Sequence, residues 1–303
     1  MVGKIISVPK PLTANQVKIL EKLKKLRASG DGKALTTKQK ETLIELQFKE
    51  IKSRKYKLSD GQKTILSELV YAEKFGRSKV LYADALTKGI EQEKESRDLL
   101  SKVVQKYLIY STERKTNDWV TGAIDIKPVN DVIIDLKTAY SWQSFTKILQ
   151  DKPNEIYLRQ LDSYMDLWGL KDSLLVHTLV NTPFEIIEKE IRSADYRMNL
   201  LNMEGNVRDE AIPEVKKIIY NHIFDEKGLN AFCEYSSQAE KTWFDDFKEI
   251  PESQRVHMIA HPFDKARIEQ RNKCISLARE FMNTVTTINN LNPQILELEK
   301  EIS

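Results

Sequence analysis

Cysteine is almost absent: 303 residues contain only Cys233 and Cys274. Two thiols exclude a disulfide framework, a four-thiolate zinc site and a four-thiolate iron-sulfur cluster, so any metal must be held by oxygen or histidine. Glycine (10) and proline (9) are also scarce, which excludes collagen-like and low-complexity chains. No run approaches the roughly 18 apolar residues of a membrane helix. The first residues lack the apolar block of a secretory signal, so an intracellular, cytoplasmic protein is expected. A G-x-x-x-x-G-K-[ST] loop is missing too, which excludes P-loop ATPase chemistry. A hydrophobic share of 41 % remains, enough for a sizeable core.

The net charge of +3 conceals an asymmetry: residues 1–70 carry 16 Lys and Arg against 7 Asp and Glu, so a basic arm of +9 precedes a body of −6. Such a split points to a polyanionic partner, although a solvated lysine-rich helical surface accounts for the charge equally well. The arm contains a repeat with a spacing of 23 residues, starting at Leu12, Leu35 and Leu58. Its pattern is L-[ST]-x-x-Q-x-x-x-L-x-x-L, with leucine pairs Leu20/Leu23, Leu43/Leu46 and Leu66/Leu69. A hydroxyl followed three residues later by Gln is a capping box, and leucines at i and i+3 make one buried stripe. Three short helices separated by turns, such as that over residues 28–32, are therefore expected.

Downstream, a helix is expected over about Ala85 to Leu108. The β-rich runs Trp119–Ile126 and Val132–Thr138 flank a Pro-containing turn and read as a hairpin. A helix over about Asn154 to Trp168 is capped by Gly169. Leu174–Val180 reads as a buried strand, and His177 within it as a core or edge histidine. Residues 184–250 look mostly helical, with breaks at Pro213 and Gly228. Arg255–His261 fits a further strand, with His257 and His261 on one face. Asp264 then caps a long helix to about Thr284, and the tail from Asn289 is a short helix or disordered. The order implies an α/β or α+β fold with a mixed central sheet flanked by helices. Two domains are expected: a basic helical region over residues 1–77, and a second domain over 78–303 with a helical insertion at about 184–250.

Chemistry concentrates in Thr121-Gly122-Ala123-Ile124-Asp125 and Ile133-Ile134-Asp135-Leu136-Lys137-Thr138. Alternation puts Asp135 and Lys137 on one strand face, with Ile134 and Leu136 on the other. If Lys127 pairs with Ile133, Asp125 lies opposite Asp135, with β-carbons about 5 Å apart. Two such carboxylates, with backbone oxygen and water, suit Mg²⁺ or Mn²⁺; the bland alternative is that either acid ends a strand in solvent. Gln160 and Tyr164 share one helix face. Upstream, Gly89-Ile90-Glu91-Gln92-Glu93 places acids early in a helix.

In order, these motifs are G-x-x-x-E, G-x-x-D, D-x-K-T and Q-x-x-x-Y. Together they resemble the PD-(D/E)XK nucleases, especially the RecE-, YqaJ- and lambda-exonuclease-like branch of phage recombination enzymes. The resemblance spans about residues 85–180, with a weaker echo from Ile250 to Arg255 onward, and implies a restriction-endonuclease-like core. It implies Asp125, Asp135 and the carbonyl of Leu136 as metal ligands, and Lys137 as the group that orients or activates water. Gln160 and Tyr164 would steady the nucleic-acid backbone. Glu93, four residues after Gly89, best fits the helical acid, with Glu91 and Glu95 in competition. The implied activity is a Mg²⁺- or Mn²⁺-dependent exonuclease that resects duplex DNA ends for phage-type recombination. Host cytoplasm, a homo-oligomer and a single-strand-annealing partner follow by analogy. Two alternatives remain open: a structure-specific or nicking endonuclease on the same core, and a non-catalytic DNA-binding or assembly protein with a degenerate core.

Overall fold

The computed structural model describes residues 12–28, 35–54, 57–78, 80, 82–236 and 238–290. The chain divides into two compact units, one formed by residues 1–79 and 265–303 and the other by residues 80–264.

In the first unit the repeats become helices α1 (Ala14–Ala28), α2 (Thr37–Arg54) and α3 (Asp60–Phe75). All three capping boxes form. The hydroxyls of Thr13, Thr36 and Ser59 accept from the amides of Gln16, Gln39 and Gln62, and each glutamine reaches back to the cap amide. Repeat-equivalent leucines then meet: Leu20, Leu23, Leu43 and Leu46 form one buried cluster with Leu12 and Leu35 against it. The third repeat departs from this pattern, because α3 buries Leu66 and Val70 and leaves Leu69 half-buried. It packs against the last helix, Lys265–Asn290. That helix was expected with the second domain, but its contacts place it in the unit of the basic arm. The turn and tail expected over 28–32 and from Asn289 onward fall largely outside the described residues.

The second unit begins with α4 (Asp84–Glu91) and α5 (Glu93–Val103), two helices where one was expected, with the break at Gln92. Strands β1 (Arg114–Thr116) and β2 (Thr121–Ala123) follow, then β3 (Val132–Thr138). Next come α6 (Trp142–Gln150), α7 (Glu155–Trp168) and β4 (Asp172–Thr178). Asn154 caps α7 at its start, and Gly169, in the left-handed region at φ 70°, ends it. Helices α8 (Phe184–Met198), α9 (Ile212–Tyr220) and α10 (Glu226–Tyr235) precede β5 (Val256–Pro262).

The expected hairpin does not form. β2 pairs antiparallel with β1, and the two make their own small sheet. β3 pairs in parallel with β4, which pairs antiparallel with β5. The register partner of Asp135 is therefore Leu175, not Asp125. Period-2 patterning identifies the faces of a strand but not its neighbour, and here the upstream Arg114–Thr116 claims β2.

The three-stranded sheet is covered on both faces. Ile134 and Val176 pack with Leu100 of α5, Leu108 and Ile126. Ile133 and Leu175 pack with Leu161 and Met165 of α7 and with Ile124. Residues 184–250 are helical as expected and build their own core around Ile187, Ile191, Val215, Ile219 and Phe232. Neither expected break is one: Pro213 lies in the first turn of α9, where its missing N–H is harmless, and Gly228 lies inside α10. Among the described residues no helix is long and apolar enough to cross a membrane.

Candidate active site

Strand alternation sends Asp135 and Lys137 to the α7 side of β3. Asp135 is only 3 % exposed. Lys137 Nζ lies 3.0 Å from both of its carboxylate oxygens. The geometry of a hydrogen bond is met only at Oδ1, so Oδ2 is buried without a hydrogen-bond partner. Burial raises the Asp135 pKa, Lys137 opposes the rise, and the charge of Asp125 adds to it.

The lysine continues a chain onto α7. Nζ donates to Gln160 Oε1 at 3.3 Å, and Gln160 Nε2 donates to Tyr164 Oη at 2.6 Å. Tyr157, three residues before Gln160 and thus on the same helix face, presents its ring 5.0 Å from Nζ. The chain ends at the G-x-x-D segment: a Cβ at Gly122 would lie 2.7 Å from Tyr164 Cε1. Three of the four sequence motifs thus touch in series, from Asp135 through Lys137, Gln160 and Tyr164 to Gly122.

The fourth motif approaches from α5. Ser96 Oγ lies 2.8 Å from Thr138 Oγ1, tying α5 to the end of β3. Glu93, at the first position of α5, is half-buried, whereas Glu91 and Glu95 are exposed. Burial raises the Glu93 pKa, the charge of Asp125 adds to the rise, and Arg97 at 3.8 Å opposes it. Asp125 is exposed and sits just after β2, its carbonyl accepting from the Ser111 amide at 2.9 Å. Its charge acts on both Glu93 and Asp135. Leu136 lies between Asp135 and Lys137 on β3, its side chain packed on the α5 side.

Among the described residues no three His, Cys, Asp or Glu side chains converge tightly enough to form a ligand shell. The donors present are nevertheless those a hard divalent cation takes. Asp135 Oδ2 is buried, lies in ion-pair contact with Lys137 Nζ and accepts no hydrogen bond, which leaves it lone-pair capacity for a cation. The residues therefore fit Mg²⁺ or Mn²⁺ in kind.

His177, expected as a core or edge histidine, is buried. It stands beside Lys137 across β3 and β4, and His257 stands beside His177 across β4 and β5. The His177 pKa falls to about 4 through burial, His257 and Lys137. His261 bonds Asp162 of α7 at 2.9 Å. Helix α6 starts with Ser141 and Ser144 capping each other, a variant outside the Ser/Thr-x-x-Glu/Gln signature. Sequence patterning misses a polar cluster with no local signature, in which Lys88, Thr182 and His222 are buried and Tyr140 and Glu190 half-buried.

No family model and no curated protein matches the chain. Matches among solved structures include two structures of the alkaline exonuclease LHK-Exo from Laribacter hongkongensis. One matches with TM-score 0.47 and 12 % identity over 79 % of this chain and 89 % of that chain. The other, in complex with dAMP, matches with TM-score 0.47 and 11 % identity over 78 % and 88 %. A phage-related exonuclease from Haemophilus somnus 129PT matches with TM-score 0.51 and 20 % identity over 76 % of this chain and 85 % of that chain. The mixed α/β fold of this chain is thus similar to that of a phage-related exonuclease.

Proposed function

We propose that the protein is a metal-dependent deoxyribonuclease that degrades DNA from its ends. The observation that carries this reading is the buried Asp135, paired with Lys137 through both oxygens but hydrogen-bonded through only one, at the head of the chain to Gln160 and Tyr164. The similar fold of a phage-related exonuclease supports it.

Glu93, Asp125, Asp135 and the Leu136 carbonyl are assigned to hold Mg²⁺ or Mn²⁺. When bound, such an ion stabilises charge on the phosphate oxygens and acidifies water. Lys137 adds a positive charge beside the nucleophile, and Gln160 holds the ammonium toward Asp135. Tyr164 and Gln160 offer donors to a phosphate oxygen. The basic arm supplies lysines for the duplex backbone.

The test is one assay of end-labelled linear DNA and closed circular DNA with Mg²⁺ or with EDTA. Linear DNA should shorten from its ends while the circle survives, and EDTA should stop the reaction. A cut circle would favour the endonuclease alternative. Intact DNA in every lane would favour the non-catalytic one.

A further inference from the structure

Lys88 is fully buried, at 0 % exposure, in the last turn of α4. Its Nζ donates to the Tyr140 carbonyl at 3.0 Å and to Thr182 Oγ1 at 2.9 Å. From there a circuit closes on itself. Thr182 Oγ1 meets His222 Nδ1 at 2.9 Å, His222 Nε2 meets Glu190 Oε2 at 2.6 Å, and the Tyr140 hydroxyl donates to Glu190 Oε1 at 3.0 Å. With Thr182 donating to Nδ1, a neutral His222 donates from Nε2 to the Glu190 carboxylate, so each polar contact has a donor and an acceptor. The bond from His222 is the main cause that lowers the Glu190 pKa.

This circuit connects three parts of the second unit. Tyr140 lies two residues beyond the end of β3, which carries Asp135 and Lys137. Glu190 lies on α8, and His222 lies two residues beyond α9, both in the 184–250 region. At the other end, the Lys88 carbonyl accepts from the Gln92 amide at 2.9 Å, at the junction from which Glu93 starts α5.

We propose that Lys88 is a positioning residue for Glu93: its buried amine locks the α4–α5 junction to the end of β3 and to the 184–250 helices. The inference rests on the reading of Glu93 as the helical acid of a nuclease site. It gives the 184–250 region a task, which is to hold the acid-bearing helix in place through His222 and Glu190.

Donor counting adds a property specific to lysine. A neutral amine has two N–H groups, and the cavity offers two acceptors. A third proton, that of an ammonium, has no further hydrogen-bond acceptor among the described residues; the Phe224 ring lies 5.6 Å from Nζ. Burial accordingly lowers the Lys88 pKa from 10.5 to about 7, and Glu95 on α5 opposes the fall. The other titratable groups of the circuit are Tyr140, His222 and Glu190. Because the folded-state pKa is lowered, the unfolded chain binds more protons between about pH 7 and 10.5, and stability rises with pH across that window.

The test uses the full-length parent, Lys88→Met and Thr182→Val. Three quantities are read: amide exchange of residues 92–97, melting temperature from pH 7 to pH 10, and Mn²⁺ affinity by calorimetry. In both variants residues 92–97 should exchange about tenfold faster while the β3 amides keep their protection. The melting temperature of the parent should rise relative to Lys88→Met as pH increases. Mn²⁺ should bind about tenfold more weakly, the loss usual when a group supporting a ligand is removed. Parent-like exchange at residues 92–97 in the variants, or a melting difference independent of pH, would overturn the proposal. If Lys88→Met does not fold, the exchange of Thr182→Val decides. If the parent takes up no Mn²⁺ while both variants still loosen residues 92–97, the nuclease reading fails and the positioning role of Lys88 stands.

Discussion

A β-carbon on Gly122 would sit 2.7 Å from Cε1 of Tyr164, closer than side chains tolerate. The glycine of one motif is therefore the floor on which the tyrosine of another rests. Gly122→Ala should push Tyr164 away from Gln160, at a cost of about 1–3 kcal/mol for overpacking. Gly89 differs: it lies in helix α4, and a β-carbon there meets nothing within 4 Å. Gly89→Ala should stabilise by about 0.5–1 kcal/mol. Denaturant melts of the two variants check the contrast, and equal effects would contradict it.

Lys137 and Asp135 are assigned to the chemical step. Lys137→Ala or Asp135→Ala should lower DNA cleavage by at least about 100-fold while leaving DNA affinity largely intact. Single-turnover cleavage and filter binding on the same preparations separate the two effects. Substantial turnover by both variants would reject the site.

Lys18, Lys22 and Lys25 lie on the exposed surface of α1. If they neutralise phosphates, changing all three to Gln should flatten the dependence of log affinity on log salt by up to about 2.7, near 0.9 per phosphate contact. An unchanged slope would mean that this surface is merely solvated. These substitutions are a cleaner probe than deleting the arm, because α3 packs on the last helix and truncation would expose that face.

His177 should mark the acid limb of stability. Its folded-state pKa, lowered from 6.5 to about 4, means that the unfolded chain binds more protons between those values, so stability falls as pH drops through that window. His177→Phe keeps a ring against Tyr157, 6.2 Å away in the parent, and should flatten this limb. Melting temperatures at pH 7, 5.5 and 4.5 test it; parallel curves would contradict the assignment.

Much of this was legible in the sequence, for physical reasons that differ by element. The repeats announced their caps and leucine stripes because both are local, and Thr13, Thr36 and Ser59 cap as expected. Asp135 with Lys137, and Gln160 with Tyr164, share faces because strand and helix periodicity fix them. Partner choice is non-local. Nothing in Thr121–Ala123 says that Arg114–Thr116 rather than Val132–Thr138 will pair with it. Lys88 was illegible for the same reason, since its acceptors lie 52 and 94 residues away. The motif residues nevertheless adjoin without the hairpin, through side chains on α7 and the approach of Gly122 to Tyr164.

The most direct measurement compares melting of the parent and Asp135→Asn with EDTA and with Mg²⁺ or Mn²⁺. Burial already opposes the Asp135 charge, so the neutral variant should melt no lower than the parent in EDTA. Metal should stabilise the parent, by about 2.7 kcal/mol when free ion is a hundredfold above Kd. Asp135→Asn should gain much less. An equal metal-induced shift in parent and variant would place the ion elsewhere and contradict the assignment of Asp135 as the centre of a nuclease site.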